Sequence, residues 1–108
     1  MDAVQRQVEA YNARDVDAFV ACYAKDVVIE DADGGLQMSG RDQMRELYGE
    51  LFESAPNLYA EVPCRIRVGS YVVDEERVSG HPRGGDVHAV AIYRLDDEGL
   101  IDRVRFLQ

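Results

Sequence analysis

The sequence predicts an α+β fold: a cone-shaped, curved antiparallel sheet wrapped around three N-terminal helices, with an internal cavity. Three observations predict it. Apolar residues recur at helical spacing in three segments ahead of residue 55. From Leu58 onward the period changes to two and stays there. Three amphipathic helices need a common apolar surface to cover, and one strongly curved sheet supplies it. A cone of this kind leaves a cavity at its open end.

The first helix is expected over Asp2 to Ala13, where Val4, Val8 and Tyr11 share one face. Asp15 is a good N-cap for a second helix, whose stripe is Val16, Phe19, Val20 and Tyr23. Val27-Val28-Ile29 is short and β-branched and reads as a strand ending on Glu30-Asp31. Asp33-Gly34-Gly35 is a turn. Ser39 and Asp42 resemble a capping box opening a third helix, which carries Met44, Leu47, Tyr48, Leu51 and Phe52 on one face. Ser54-Ala55-Pro56-Asn57 ends it.

Four long antiparallel strands follow. In the first, Leu58, Ala60, Val62, Cys64, Ile66 and Val68 alternate with Tyr59, Glu61, Arg65 and Arg67. Gly69-Ser70 turns the chain into Tyr71 to Ser79, and a turn over Gly80 to Gly85 leads into Val87 to Leu95. That strand is apolar on both faces, which marks it as central or at an interface. Asp97-Glu98-Gly99 makes the hairpin to the last strand, Leu100 to Leu107. No repeat or linker interrupts the chain, so residues 1–108 read as a single domain.

Composition excludes several functions. The net charge is −9, with Lys25 the only lysine, so a phosphate backbone is repelled and no nucleic-acid partner is expected. No apolar run approaches the roughly 20 residues that cross a bilayer. The N-terminus, MDAVQRQVEA, lacks the basic start and apolar core of a signal peptide. Cys22 and Cys64 lie far apart in apolar contexts and read as reduced, packed thiols, which fits a cytoplasmic location. Neither His81 nor His88 has a metal-ligand neighbour at a sensible spacing, and no metal or cofactor is expected. Gly35 to Asp42 has the glycine spacing of a phosphate loop but not its Lys and Ser/Thr, and no GxSxG or GxGxxG occurs.

Val4-Gln5-Arg6, Tyr11-Asn12-Ala13-Arg14-Asp15, Tyr23-Ala24-Lys25-Asp26, Glu30-Asp31, Ser39-Gly40, Arg45-Glu46-Leu47-Tyr48 and Ile101-Asp102-Arg103-Val104, in this order of elements, resemble the nuclear transport factor 2-like superfamily. Within it the likeness is to the ketosteroid isomerase and SnoaL-like cyclase branch. The resemblance implies a cofactor-free pocket for an apolar small molecule. It maps the proton-moving aspartate of ketosteroid isomerases on to Asp31. Their two oxyanion donors fall on Gln7 and Ala91, which cannot replace them, so ketosteroid isomerisation is not expected. A supporting tyrosine in the third helix matches Tyr48, and one in the second helix matches Tyr23. The fold alone does not assign a function. An isomerase, cyclase or dehydratase using Asp31 as general base stands beside a non-catalytic binding or interaction module.

The expected arrangement is a closed cone with Asp31 facing its cavity, where desolvation would raise its pKa. Tyr11, Tyr23 and Tyr48 are candidate pocket residues, because buried hydroxyls need partners. The strand Tyr71 to Ser79 carries charge whichever face points inward. With Val72 and Val78 inward, Asp74 and Glu76 face the helices; with Tyr71 and Val73 inward, Glu75 and Arg77 do; the plainer reading is a middle that is solvated or bulged. In the first register Glu76 becomes a second acid opposite Asp31. The sheet's outer face, with Val90 and Ile92 flanked by His88 and Arg94, is expected to form a homodimer. Members of the resembling branch often pair through their sheets.

Overall fold

The first two helices of the computed structural model, which describes residues 1–108, are set by their caps. Asp2 accepts the Gln5 N–H and starts α1 (Ala3–Ala13), one residue later than expected. Arg14, in the left-handed region at φ 54°, ends it. Asp15 caps α2 (Val16–Val20) as expected, accepting from Ala18 N. This helix stops short of Tyr23. The Cys22 carbonyl accepts from Ile101 N, and Tyr23 opens a strand that pairs there, so tertiary pairing overrides the helical spacing.

The remaining elements are β1 (Tyr23–Glu30), β2 (Leu36–Ser39), α3 (Arg41–Ser54), β3 (Tyr59–Val68), β4 (Tyr71–Ser79), β5 (Val87–Leu95) and β6 (Ile101–Leu107). The capping box expected at Ser39 is absent. Gly40 is the N-cap of α3, at φ 88°, and makes no side-chain bond; Gln43 reaches back instead to the Ser39 N–H. No helix is long and apolar enough to cross a membrane.

The strands form one curved sheet in the order β2-β1-β6-β5-β4-β3. All pairs are antiparallel except β1 with β6, which is parallel. The cone is open rather than closed, with β2 and β3 at its edges. At the β3 edge a side chain does what a strand would do. The Asn12 amide takes the Ala60 N–H at 2.7 Å and gives to the Ala60 carbonyl at 2.9 Å. Arg14 adds a bond to the Leu58 carbonyl. The end of α1 is thereby fastened to the sheet.

Packed between helices and sheet are Val4, Phe19, Val20, Val27, Ile29, Met44, Leu58, Ile101 and Val104, all at most 2% exposed. Gly80 marks a close approach: at φ 75°, any Cβ there would lie 2.1 Å from the Asn57 carbonyl oxygen.

β3 corrects the sequence reading. Its register shifts between Glu61 and Cys64, around Pro63, which has no N–H for the ladder. Beyond the bulge the faces exchange. Arg65 and Arg67 pair with Asp74 and Val72 on the helix side, whereas Cys64, Ile66 and Val68 turn outward and are exposed. Cys22 is a packed free thiol as expected; Cys64 is free and exposed.

Candidate functional site

β4 decides the character of the site. Val72, Asp74 and Glu76 are buried and alternate with half-buried or exposed neighbours, so both carboxylates face the helices. The solvated or bulged middle is not what forms, because each inward charge has a partner. Asp74, fully buried, receives Arg65 Nε at 2.7 Å and the second guanidinium nitrogen at 2.9 Å. Arg65 donates its third bond to Gln5 on α1. This forked pair satisfies the geometry that buried charge requires.

Two residues further along β4, Glu76 has no cation bonded to it. It accepts the Tyr93 hydroxyl proton at 2.8 Å on Oε2. Burial pushes the Glu76 pKa up from 4.5 to about 7; the Tyr93 bond and Arg65 work against this, and the Asp74 charge adds to it. The chain of bonds continues. Gln7 Nε2 donates to the Tyr93 oxygen at 3.1 Å, and Tyr23 donates to Gln7 Oε1 at 3.0 Å. Tyr23, Gln7, Tyr93 and Glu76 therefore form one buried sequence of donors and acceptors linking β1, α1, β5 and β4.

This network lies along a cavity of about 220 Å³. Its helix side is aromatic: Tyr11, Phe19 and Tyr48 line it, with Phe52 behind them. Ala89, Tyr93 and Phe106 line its sheet side with Glu76. At the mouth stand Gln37, Arg83 and Gln108, all exposed, and the half-buried His81.

The structure brings Tyr11, Tyr23, Tyr48 and Glu76 together around this cavity. It leaves Asp31 out. The Asp31 carboxylate lies in the turn after β1, where Oδ1 accepts Gly35 N at 2.8 Å and Asp33 N at 3.0 Å. Its own N–H donates to the Gly35 carbonyl. The expectation that Asp31 faces the cavity is not met, because the Asp33-Gly34-Gly35 turn folds back on to that carboxylate. Its neighbour Glu30 points to the other side and meets Arg105 and Arg103 of β6.

Gln7 and Tyr93 are the site residues that sequence reasoning missed. Gln7 shares the helical face of Val4 and Tyr11 by its spacing, which was the available signal, and its amide is only 4% exposed. His88 sits on the outer face, bonded to Glu75. No group of three or more His, Cys, Asp or Glu side chains is placed to hold a metal ion.

A protein with a cystatin fold from Novosphingobium aromaticivorans is 26% identical, with a TM-score of 0.88 over 98% of this chain and 95% of that one. A candidate polyketide cyclase from Sinorhizobium meliloti is 24% identical, with a TM-score of 0.80 over 96% and 92%. A computationally designed 17-OHP binder is 20% identical, with a TM-score of 0.82 over 96% and 86%. The model of the SnoaL-like domain matches residues 4–104, and the chain belongs to the SnoaL-like domain family.

Proposed function

We propose that this protein takes a small, largely apolar molecule into the cavity and moves a proton on it with Glu76, without a cofactor, as an isomerase, cyclase or dehydratase would. The observation that carries this is the Glu76 carboxylate, buried on an apolar wall, oriented by Tyr93, and poised at about pH 7. A general base works best with a pKa near the working pH. The cavity exceeds the roughly 150 Å³ apolar void that admits benzene, so a single ring with substituents suits it. The likeness to a candidate polyketide cyclase supports chemistry of this class, and the likeness to a designed 17-OHP binder supports a pocket suited to ring compounds.

Asp31 is not assigned the base, since its carboxylate is held by the turn. A second reading, a non-catalytic binding module, is favoured by Gln7 and the fully buried Ala91 standing where ketosteroid isomerases place their donors.

The test is deuterium exchange at carbon next to the carbonyl in a panel of small cyclic ketones in D₂O. Exchange should rise with pH through about 7 and be lost in Glu76→Gln. Ketones that bind without exchanging would establish the binding module instead.

A further inference from the structure

Most polar groups along the cavity are engaged with one another. Gln7, Tyr23 and Tyr93 are joined in the chain that ends on Glu76 Oε2. The hydroxyls of Tyr11 and Tyr48 are not part of it. Burial and nearby charge act on them, but no side chain hydrogen-bonds to either. No buried side-chain oxygen or nitrogen lacks a partner, so these two hydroxyls are not sealed off, and both residues line the cavity. Their rings are neighbours, with centroids 6.4 Å apart and nearly edge to face. Both feel the Glu76 charge.

We propose that Tyr11 on α1 and Tyr48 on α3 form a paired hydroxyl site for a ligand's carbonyl oxygen, opposite Glu76. The ligand class is then a small cyclic carbonyl compound with an acidic hydrogen beside the carbonyl. This rests on the reading of Glu76 as the proton acceptor. Burial first, then the Glu76 charge at Tyr11 and both Tyr11 and Glu76 at Tyr48, hold the two phenols well above their ordinary pKa, so they remain neutral O–H donors. Each ring is fixed by aromatic packing: Tyr48 lies 4.7 Å from Phe19, and Tyr11 lies 5.4 Å from Phe52.

The proton accounting closes without another reagent. The Glu76 carboxylate takes the hydrogen next to the carbonyl. The C–H electron pair becomes the C=C bond of an enolate, and the carbonyl π pair moves to the oxygen, where the two hydroxyls stabilise the charge. Glu76, now a carboxylic acid, returns the proton to the same carbon or to a conjugated one. The pair differs from the donor positions of ketosteroid isomerases, which fall on Gln7 and Ala91.

The test uses cyclohexanone labelled with ¹³C at the carbonyl, with two readouts on the whole protein. Infrared difference spectra report the carbonyl stretch of the bound ketone, and deuterium uptake reports proton transfer. Tyr11→Phe and Tyr48→Phe remove only the hydroxyls and keep the rings. The stretch should lie below its value in water, move part of the way back in each variant, and reach its apolar-solvent value in the double variant. Deuterium uptake should fall roughly 100-fold per hydroxyl removed. A stretch unchanged in the double variant, or no binding of the ketone to the unmodified protein, would overturn the pair. Uptake lost in Glu76→Gln but untouched in the tyrosine variants would also overturn it, while leaving the proton-transfer reading intact. A lowered stretch that depends on both tyrosines, with no uptake at all, would support the pair and sink proton transfer by Glu76.

Discussion

Tyr93 donates to Glu76 although the two residues are not paired across the sheet. Glu76 lies opposite Ala89, and Tyr93 lies opposite Val72. Between them is the rung of Asp74 and Ala91. The Tyr93 side chain must reach across this rung to place its oxygen 2.8 Å from the carboxylate. Small side chains at Ala89 and Ala91 leave it the room to do so. This single diagonal contact orients the carboxylate on the helix-side face, and the Glu76 pKa stays raised because burial outweighs the bond.

The first consequence concerns pH and stability. The Glu76 pKa is raised from 4.5 to about 7 in the folded protein. Between these values the folded state holds a proton that the unfolded state has lost, so this group's contribution to stability falls as pH rises through the window. Below pH 4.5 it contributes no difference. Glu76→Gln should be more stable than the unmodified protein at pH 8, by on the order of 3 kcal/mol at most, and the advantage should shrink toward pH 5. Urea unfolding at the two pH values measures it; an advantage independent of pH would show that Glu76 is not the titrating group.

Removing the donor should act in the opposite sense on the same group. Tyr93→Phe takes away the bond that favours the ionised carboxylate and leaves the Gln7 amide without its acceptor. The Glu76 pKa should move above 7, as read from its ¹³C carboxyl shift. Stability should fall by about 1–3 kcal/mol, the usual cost of a buried polar group left unpaired.

Restoring the acid that ketosteroid isomerases carry on this strand should fail. Ala91 is fully buried and lies directly across from Asp74. Ala91→Asp would set a second carboxylate beside a fully buried one whose only cation, Arg65, is already engaged on both nitrogens facing it. A cost on the order of 3–5 kcal/mol is expected near neutral pH, in line with other uncompensated buried charges. The loss should be partly relieved at acid pH, when the new carboxyl is neutral. A variant as stable at pH 8 as the unmodified protein would contradict this account of why the position is alanine.

Local signals wrote much of this fold into the sequence. The cap at Asp15 and the stripe from Met44 to Phe52 each reflect contacts within a few residues. Failures occurred where distant residues intervene. Tyr23 has helical spacing but is captured by pairing with Ile101. Ile66 and Val68 keep the alternation of Ala60 but face the other way, because one bulge at Pro63 shifts everything beyond it. The site fared similarly. Tyr11, Tyr23 and Tyr48 were legible as hydroxyls on apolar faces. The strand-end position and the family likeness point Asp31 into the cavity, but the turn from Asp31 to Gly35 determines where its carboxylate goes. Glu76 could be placed only once Arg65, from the far side of the bulge, was known to neutralise Asp74.

The Asp31 turn gives its own prediction. A Cβ at Gly35 would come within 2.7 Å of the Asp31 carboxylate. Gly35→Ala should therefore destabilise by about 1 kcal/mol, and so should Asp31→Ala, which removes the acceptor of two N–H groups. The double variant should be less destabilised than the sum, since without the carboxylate the methyl has nothing to strike. Asp31→Asn, which keeps an acceptor oxygen, should leave ketone binding and deuterium uptake unchanged. Strict additivity in the cycle, or loss of uptake in Asp31→Asn, would return Asp31 to the site.

The outer face of the sheet supports a proposal of self-association. Ala89, Ala91 and Tyr93 face the helices, leaving Val90 and Ile92 on the other side, half-buried. The rung through Ile92 joins Val73 of β4 and Ile66 of β3, so an apolar row crosses three strands. Val68 and Tyr71 extend it at 64% and 46% exposure, with Ile66 itself at 55%. Contiguous apolar surface of this kind on a sheet marks an interface more often than it marks free surface. A symmetric dimer lets one patch cover its own copy. Each chain carries a net charge of −9, so association should tighten as salt screens the repulsion between copies. Ile92→Glu would place a charge at the β5 end of the row, beside Val73. It should convert the dimer to a monomer with the far-UV circular dichroism unchanged, since Ile92 takes no part in the helix-side core. The checks are sedimentation of both proteins at micromolar concentration and at two ionic strengths. An unmodified protein that sediments as a monomer at high salt would rule the dimer out.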